Sequence, residues 1–383
     1  VTDIRISGVA MHPFGRHDGV SLTAMGVHAA LGALGEAGVS PGERDAVTAA
    51  YVGTAYGGVA AGHKVLGALA LTGIPIVDVE AGCASGAAAL ALGATAIRSG
   101  EHDRVLVLGI EKMPKGMIRS SFFEPWQEAA GLTPAPAYFA LRAQRLLRER
   151  DLTKDHLAAV VVKNRAHGAS NPDAMFQKPV TADDVLASRV VCEPLHLWML
   201  CSPNEGAAAV VLERARGASG GDISVRLRAA CLRSHLPGSV LSESSPLSGI
   251  DDAGIASPTQ LAVADAWETS GLGPTDVDVV ECQDTDAARE LLAWEELGLC
   301  APGEQAAVLA SGDASLGGRR PVNPSGGLLS KGEPLGASAL GQVVELVRQL
   351  RGECGARQVD GARVALAHTI GRGANASAVL LSV

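Results

Sequence analysis

The chain has 383 residues, enough for two ordinary domains or one large duplicated one. Hydrophobic residues make up 47% and aromatics only 3%, with 46 glycines, so any core must be built from Ala, Val, Leu and Gly in closely approaching layers. A net charge of −9 argues against a generic nucleic-acid or anionic-membrane binder, although a local basic patch could still hold a phosphorylated carrier. No run of about 18 apolar residues is free of charges and breakers, so no membrane span is expected. Residues 1–6 lack a basic segment followed by an apolar run and do not read as a signal peptide. The seven cysteines (83, 192, 201, 231, 282, 300 and 354) are odd in number, scattered and without CxxC spacing. That usage fits free thiols in a reducing cytoplasm, not a disulfide framework or a zinc site, and for any one of them a small buried hydrophobe is the default reading.

In chain order, helix-like and strand-like segments alternate, which predicts an α/β layered fold. Residues 1–10 read as a strand, 21–37 as an amphipathic helix, 46–53 as a buried strand and 74–79 as a further apolar strand-like run. Residues 84–97 form a helix small and apolar on nearly every face, hence buried all round. Residues 104–109 are a continuous apolar strand suited to a central position. From 113 to about 197 the chain is richer in Pro, Arg and polar residues, and Phe122, Phe123, Trp126, Tyr138 and Phe176 gather there. This reads as an inserted loop-and-helix region lying over the site. Residues 207–212 form a strand, and 214–221 a Gly/Ala/Ser-rich linker. The second part repeats the theme: strand 223–230, helix 258–270, strand 277–281, helix 287–297, helix 335–351, and strands 363–367 and 376–382.

Gly82-Cys83-Ala84-Ser85-Gly86-Ala87 lines up with Gly332-Glu333-Pro334-Leu335-Gly336-Ala337 at an offset of about 250 residues, and each opens a long helix of small residues. A polar link and a strand follow in both copies. If this is a duplication and not a chance likeness of Gly-rich helix starts, Cys83 and Glu333 occupy equivalent places and face one pocket. Unsatisfied amides and the positive end of a helix dipole favour a thiolate at Cys83. The Cys83 amide itself could donate to a thioester oxygen. Position alone leaves Cys83 open between nucleophile and structural cysteine, and Glu333 between a base and a carboxylate that merely caps its helix.

Glu80-Ala-Gly-Cys-Ala-Ser-Gly-Ala-Ala-Ala-Leu90 resembles the nucleophile segment of thiolases. Cys201-Ser-Pro-Asn-Glu-Gly-Ala-Ala-Ala209 resembles the segment that ends their first half, and Asn323 to Gly336 resembles their second active-site loop. Gln349 to Val359 and Ala367 to Gly373 are similar to the C-terminal part of the sterol-carrier-protein-2 subgroup. The resemblance runs over the whole chain. It implies a duplicated five-layered α-β-α-β-α thiolase fold, with an N-terminal half at 1–215 (insertion about 113–197) and a C-terminal half at 222–383. It also implies Cys83 as the acyl-accepting nucleophile, a CoA or phosphopantetheine thioester as substrate with no tightly bound cofactor and no metal, and a cytoplasmic homodimer.

Two departures bear on mechanism. Thiolases read Gly-His-Pro where this chain reads Gly332-Glu333-Pro334, and the subgroup's His-Asp-Cys-Phe is replaced by Gln283-Asp284-Thr285-Asp286. A His can pair as a cation with a thiolate, whereas ionised Glu333 repels one, so Glu333 either takes the thiol proton or serves as base toward a second substrate. Gln283 keeps an amide donor for an oxyanion, while Thr285 is too weak an acid to replace a catalytic Cys. Cys282 is one step out of register and is expected to point the other way. Thr369, Asn323, His368 and Thr285 are assigned to the oxyanion region or its support, His368 structurally. Ordinary reversible acetoacetyl-CoA chemistry is therefore not expected. The expectation is an acyltransferase or condensing enzyme, in bacterial secondary or lipid metabolism, that passes an acyl group from Cys83 to a carbon, nitrogen or oxygen nucleophile of a small acceptor. The alternatives are a thiolase-like retro-aldolase and a non-catalytic subunit. The only three tyrosines, Tyr51, Tyr56 and Tyr138, lie in the first half, which counts against the retro-aldolase. The subgroup also suggests an OB-fold zinc-ribbon protein or an acyl carrier protein as partner.

Overall fold

The computed structural model describes residues 3–40, 43, 46–115, 125–129, 135–215, 224–236, 255–371 and 375–383. Phe122, Phe123 and most of the expected linker at 214–221 lie outside the described residues. The first half contains β1 (Ile4–Gly15), α1 (Leu22–Glu36), β2 (Ala49–Gly53), α2 (Ala61–Ala68), β3 (Ile76–Val79), α3 (Ser85–Arg98) and β4 (Arg104–Lys112). Next come α4 (Pro125–Ala129), α5 (Ala135–Glu149), α6 (Lys154–Gly168), α7 (Ala182–Ala187), β5 (Val190–Cys192) and β6 (Leu195–His196), before β7 (Glu205–Arg214). The second half follows with β8 (Val225–Ser234), α8 (Pro258–Ser270), β9 (Val279–Glu281), α9 (Ala287–Glu296), α10 (Gln305–Ser311), α11 (Gly327–Lys331), α12 (Leu335–Arg351), β10 (Val364–Ile370) and β11 (Asn375–Ser382).

The strand order β3-β2-β4-β7-β1-β8-β11-β10-β9 makes the duplication visible. Reading outward from the β1–β8 junction, β7-β4-β2 on one side matches β11-β10-β9 on the other. β4 pairs parallel with β2 and antiparallel with β7, just as β10 pairs parallel with β9 and antiparallel with β11. Within the sheet, among the described residues, the halves pair at Arg5↔Arg226 and Ile6↔Val225. This repeat of pairing pattern is what a chance likeness of two helix starts would not produce.

Strand alternation sorts the core into layers. Val105, Val107, Ala208, Val210 and Leu212 face inward onto α3 and α12, while Leu106, Leu108, Ile110 and Val211 face outward toward α1 and α2. In the second half Val279, Ala365 and Val379 face the same central helices, and Val280, Leu366 and Leu380 face the opposite layer. The result is helix, strands, central helices, strands, helix. Because α3 and α12 are sandwiched, they carry small residues: Ala87, Ala88, Ala89, Ala337 and Ala339 are all nearly inaccessible. α1 starts where Ser21 Oγ accepts the Ala24 amide at 3.1 Å, one residue inside the expected start.

The inserted region packs on the loop that leads to Glu333, with the Phe176 amide donating to Ser330 O at 2.9 Å and Asn171 Nδ2 to Ser325 O at 2.8 Å. It packs its apolar face, including Leu157, Val160 and Val161, into the outer core of the second half with Leu291, Trp294 and Leu329. Among the described residues, Trp126, Tyr138 and Phe176 do not form one cluster. Trp126 is exposed, Tyr138 meets Phe139 edge-on at 4.6 Å, and Phe176 lies 4.0 Å beneath the Arg165 guanidinium.

Candidate active site

Cys83 sits in a single 3-10 turn, Gly82–Ala84, that runs into α3, and it is only 5% exposed. Gly82 takes a positive φ of 59°, and Ser85 Oγ clamps the turn by donating to Gly82 O (2.6 Å) and accepting from the Ala81 amide (2.9 Å). Glu333, likewise 5% exposed, lies just before α12. The two helix starts approach because a glycine occupies the contact. A Cβ on Gly86 would stand 3.0 Å from Gly336 O and Leu340 Cγ, and one on Gly336 would stand 2.6 Å from Ile110 O and Thr54 Cα at the ends of the strands beneath.

The Glu333 backbone is held by a strand-like bridge to Pro203, with its amide donating to Ser202 O at 2.8 Å. Gly332 before it has φ +83°, and a Cβ there would strike Asn204 Nδ2. Asn204 Nδ2 instead donates to Lys331 O at 2.8 Å. Behind this segment Asp284 accepts the Leu328 and Leu329 amides at 2.7 and 3.2 Å, and Glu281 accepts from the Ser325 amide and hydroxyl. The loop from 323 to 333 is thus fixed to the end of β9.

The Glu333 carboxylate is met by side chains. Gln283 Nε2 donates to Oε1 at 2.7 Å, Cys201 Sγ donates to Oε2 at 3.1 Å, and the Cys83 thiol is a further hydrogen-bonding partner. Burial pushes the Glu333 carboxyl above the ordinary carboxylate range, and these donors offset part of that rise. The Cys201 thiol is pushed well above the usual range, first by burial and then by the adjacent Glu333 charge, so it stays protonated at neutral pH. The capping alternative for Glu333 is not what the structure shows. Gly336, in the first turn of α12, donates to Glu111 at 3.1 Å, and that same carboxylate also accepts the Ala55 and Tyr56 amides.

Other sequence-derived candidates fall differently. Gln283 was expected to offer an amide to an oxyanion; here its Nε2 is engaged by Glu333, so it orients the carboxylate. Asn323 does not reach the site: its Oδ1 accepts the Cys282 amide at 2.8 Å and its Nδ2 donates to Glu290 at 2.8 Å. Thr369 Oγ1 donates to Gln342 at 2.8 Å, and His368 Nε2 pairs with Thr259 Oγ1 at 3.0 Å, fully buried, with its pKa driven well down by desolvation. The structural reading of His368 fits that surrounding. Thr285 Oγ1 donates to Asp286 at 3.3 Å. Cys282 points away from Gln283 into the outer core, as strand alternation requires.

Sequence reasoning missed Cys201 and Glu111. Cys201 opens a segment already singled out for its family likeness, but scattered cysteines default to packing. Glu111 ends an apolar strand, where a lone carboxylate in a run of Val, Leu and Ile was the available signal.

Residues 4–215 match the family model "Thiolase, N-terminal domain", and residues 240–382 match "Thiolase C-terminal domain-like". The chain belongs to the thiolase family. Within that family it is of the sterol-carrier-protein-2 type. It is 37% identical to bovine Sterol carrier protein 2, the match covering 86% of this chain and 63% of the bovine protein. It is also 37% identical to an Acetyl-CoA acetyltransferase of Methanothermobacter thermautotrophicus, covering 98% of each. Identity is 35% to the Benzoylsuccinyl-CoA thiolase subunit BbsB of Thauera aromatica, over 97% of this chain and 96% of that one. Among solved structures, the "Ltp2-ChsH2(DUF35) aldolase" superposes with a TM-score of 0.85 at 25% identity, covering 100% of this chain and 98% of that one. Human mitochondrial 3-ketoacyl-CoA thiolase, at 16% identity and a TM-score of 0.74 over 100% and 98% of the two chains, shares the fold. No helix among the described residues is long and apolar enough to cross a membrane.

Proposed function

We propose that this thiolase-family protein transfers an acyl group from a CoA or carrier-protein thioester, through a thioester on Cys83, to a carbon, nitrogen or oxygen nucleophile of a small acceptor. The observation that carries this reading is the Glu333 carboxylate standing among the Cys83 and Cys201 thiols. A carboxylate whose burial raises its affinity for protons is a stronger base than an exposed one. It cannot pair as a cation with the thiolate it forms. Instead it becomes neutral on taking the proton, so no buried like-charge pair persists. The acyltransferase and thiolase names of the relatives at 37% and 35% identity support the reaction class. In this reading 1–215 and 222–383 are the two domains, the exposed edge strand β3 joins two copies into a homodimer, and the aldolase neighbour, whose name pairs two components, supports a partner subunit of the OB-fold zinc-ribbon kind.

That same neighbour favours a second reading, cleavage of a carbon–carbon bond in a β-hydroxyacyl thioester. Intact-mass spectrometry after incubation with a panel of acyl thioesters separates the two. Acyl transfer requires an adduct on the wild type that disappears in Cys83→Ala. An adduct surviving in that variant removes Cys83 from the role, and cleavage of a β-hydroxyacyl-CoA with no adduct selects the second reading.

A further inference from the structure

We propose that Arg165 holds a carboxylate of the substrate, on the acyl group or on the acceptor, beside the loop that carries Glu333. That the carboxylate belongs to a substrate rests on the acyl-transfer reading of the site. That Arg165 takes a carboxylate rests on its own surroundings.

Six lysines and arginines are buried among the described residues: Arg142, Lys163, Arg165, Arg289, Lys331 and Arg357. Five of them have a carboxylate. Arg142 pairs with Asp286, Lys163 with Glu290 at 2.8 Å, Arg289 with Glu296, Lys331 with Glu281 at 3.3 Å, and Arg357 with Glu345 at 3.0 Å. Arg165 is the exception. It is 7% exposed, and its Nε is enclosed without an acceptor. Among the described residues no ion pair or hydrogen bond reaches its guanidinium. The Phe176 ring lies 4.0 Å beneath it, but a ring face attracts a cation without neutralising it. Burial alone pulls its pKa down to about 10, still far above neutrality, so the charge stays. A buried unpaired charge is destabilising, and a guanidinium does not escape by losing its proton. An anion that binds there completes the site.

The position links this anion to the chemistry. Asn164, the preceding residue, accepts the Ser330 hydroxyl on its carbonyl oxygen at 3.0 Å, and the amide of Phe176 holds Ser330 O. Ser330 lies three residues before Glu333 in the same loop. Met175, next to Phe176, accepts Asn204 Nδ2 on its sulfur at 3.7 Å, and the Asn204 amide donates to Glu333 O at 3.4 Å. Arg165 is thus one contact removed from that loop, which is the reach of the far end of a substrate whose thioester sits at Cys83. Charge selects the class of anion. One guanidinium neutralises one carboxylate, and its planar fork matches the two oxygens. A phosphate monoester carries about 1.5–2 negative charges, and no second lysine or arginine acts on Arg165 to balance the remainder.

Two arms test this on wild type, Arg165→Met and Arg165→Lys. In the binding arm, butyrate, hexanoate and benzoate are compared with their neutral primary amides, and with inorganic phosphate at equal ionic strength. Dissociation constants come from the rise of the urea midpoint with ligand concentration. In the acylation arm, succinyl-, glutaryl- and adipyl-CoA are compared with their terminal methyl esters by the rate of mass gain on Cys83. Wild type is expected to favour the charged member of a pair by about 10- to 10²-fold. A preference in the acylation arm places the carboxylate on the acyl group; one confined to the binding arm places it on the acceptor. Arg165→Met should lose the preference while its ligand-free urea midpoint stays equal or rises, because it no longer buries an unpaired charge. Arg165→Lys keeps the charge without the fork and should retain part of the preference. The ratio within each pair is taken for each variant, so a partly misfolded sample does not alter it. No preference in either arm on wild type, a preference unchanged in Arg165→Met, or binding of phosphate alone overturns the proposal. Absence of any adduct on wild type removes the acyl-transfer reading, and the binding arm then decides Arg165 by itself.

Discussion

Replacing Glu333 by Gln keeps the shape of the side chain and removes both its charge and its basicity. One carboxylate oxygen becomes an NH2 group, which must face either Gln283 Nε2, now 2.7 Å from Oε1, or the Cys201 thiol, 3.1 Å from Oε2. One donor then faces a donor, and the lost bond to a charged group costs about 1.5–3 kcal/mol. Against this, the variant no longer buries a charge. Between the ordinary carboxylate value and the raised one, folded wild type binds a proton that the unfolded chain does not, so its stability falls as pH rises through that window. Each tenfold difference in acidity between the two states contributes about 1.4 kcal/mol. Glu333→Gln is therefore expected to gain on wild type steadily as pH rises from about 4.5, and the gain should level off above the raised value. Glu111, Glu281 and Asp284 are also pushed up by burial, so only the difference between the two proteins isolates Glu333. Urea midpoints over a pH series give the stability curve, and turnover of the best acyl donor should fall by about 10²- to 10⁴-fold. A fully active variant whose stability tracks wild type at every pH would show that Glu333 is neither a base nor a buried titrating charge.

Gly336→Ala places a Cβ 2.6 Å from Ile110 O and Thr54 Cα, backbone or near-backbone atoms that cannot turn aside. It should cost about 1–3 kcal/mol in urea unfolding and lower Cys83 acylation by shifting the start of α12; an unchanged midpoint would mean the start of α12 is not tightly packed on the ends of β2 and β4. The edge strand β3 leaves Val77 41% exposed, and pairing of two such edges predicts a dimer by light scattering at micromolar concentration, converted to monomer by Val77→Asp. A monomeric wild type would remove that interface.

Most of the architecture could be read along the chain. Helix 335–351 and helix 258–270 coincide with α12 and α8 because apolar spacing and a capping Ser257 are local signals. Strand ends were less accurate: β1 runs to Gly15, past the expected residue 10, because pairing with β7 continues through a bulge that apolar pattern does not mark. Helix α2 went unread, since its eight residues give barely two turns of periodicity.

The sequence by itself determined the layered fold, the all-round burial of helix 84–97 and the likeness of the helix starts at Cys83 and Glu333, while the sheet pairing decided that the likeness is a duplication. What the sequence determined follows from period, small-residue content and a likeness at fixed offset. Only the tertiary structure decided what surrounds Glu333. Cys201 lies 132 residues from it and Gln283 lies 50, and no local pattern states that the segment before β7 meets the segment after β9. That neighbourhood comes from how the two sets of strands flank α3 and α12, and from glycines that let the helix starts approach to contact distance. The same packing assigned the α12 amide to Glu111 and so left the Glu333 carboxylate to face two thiols.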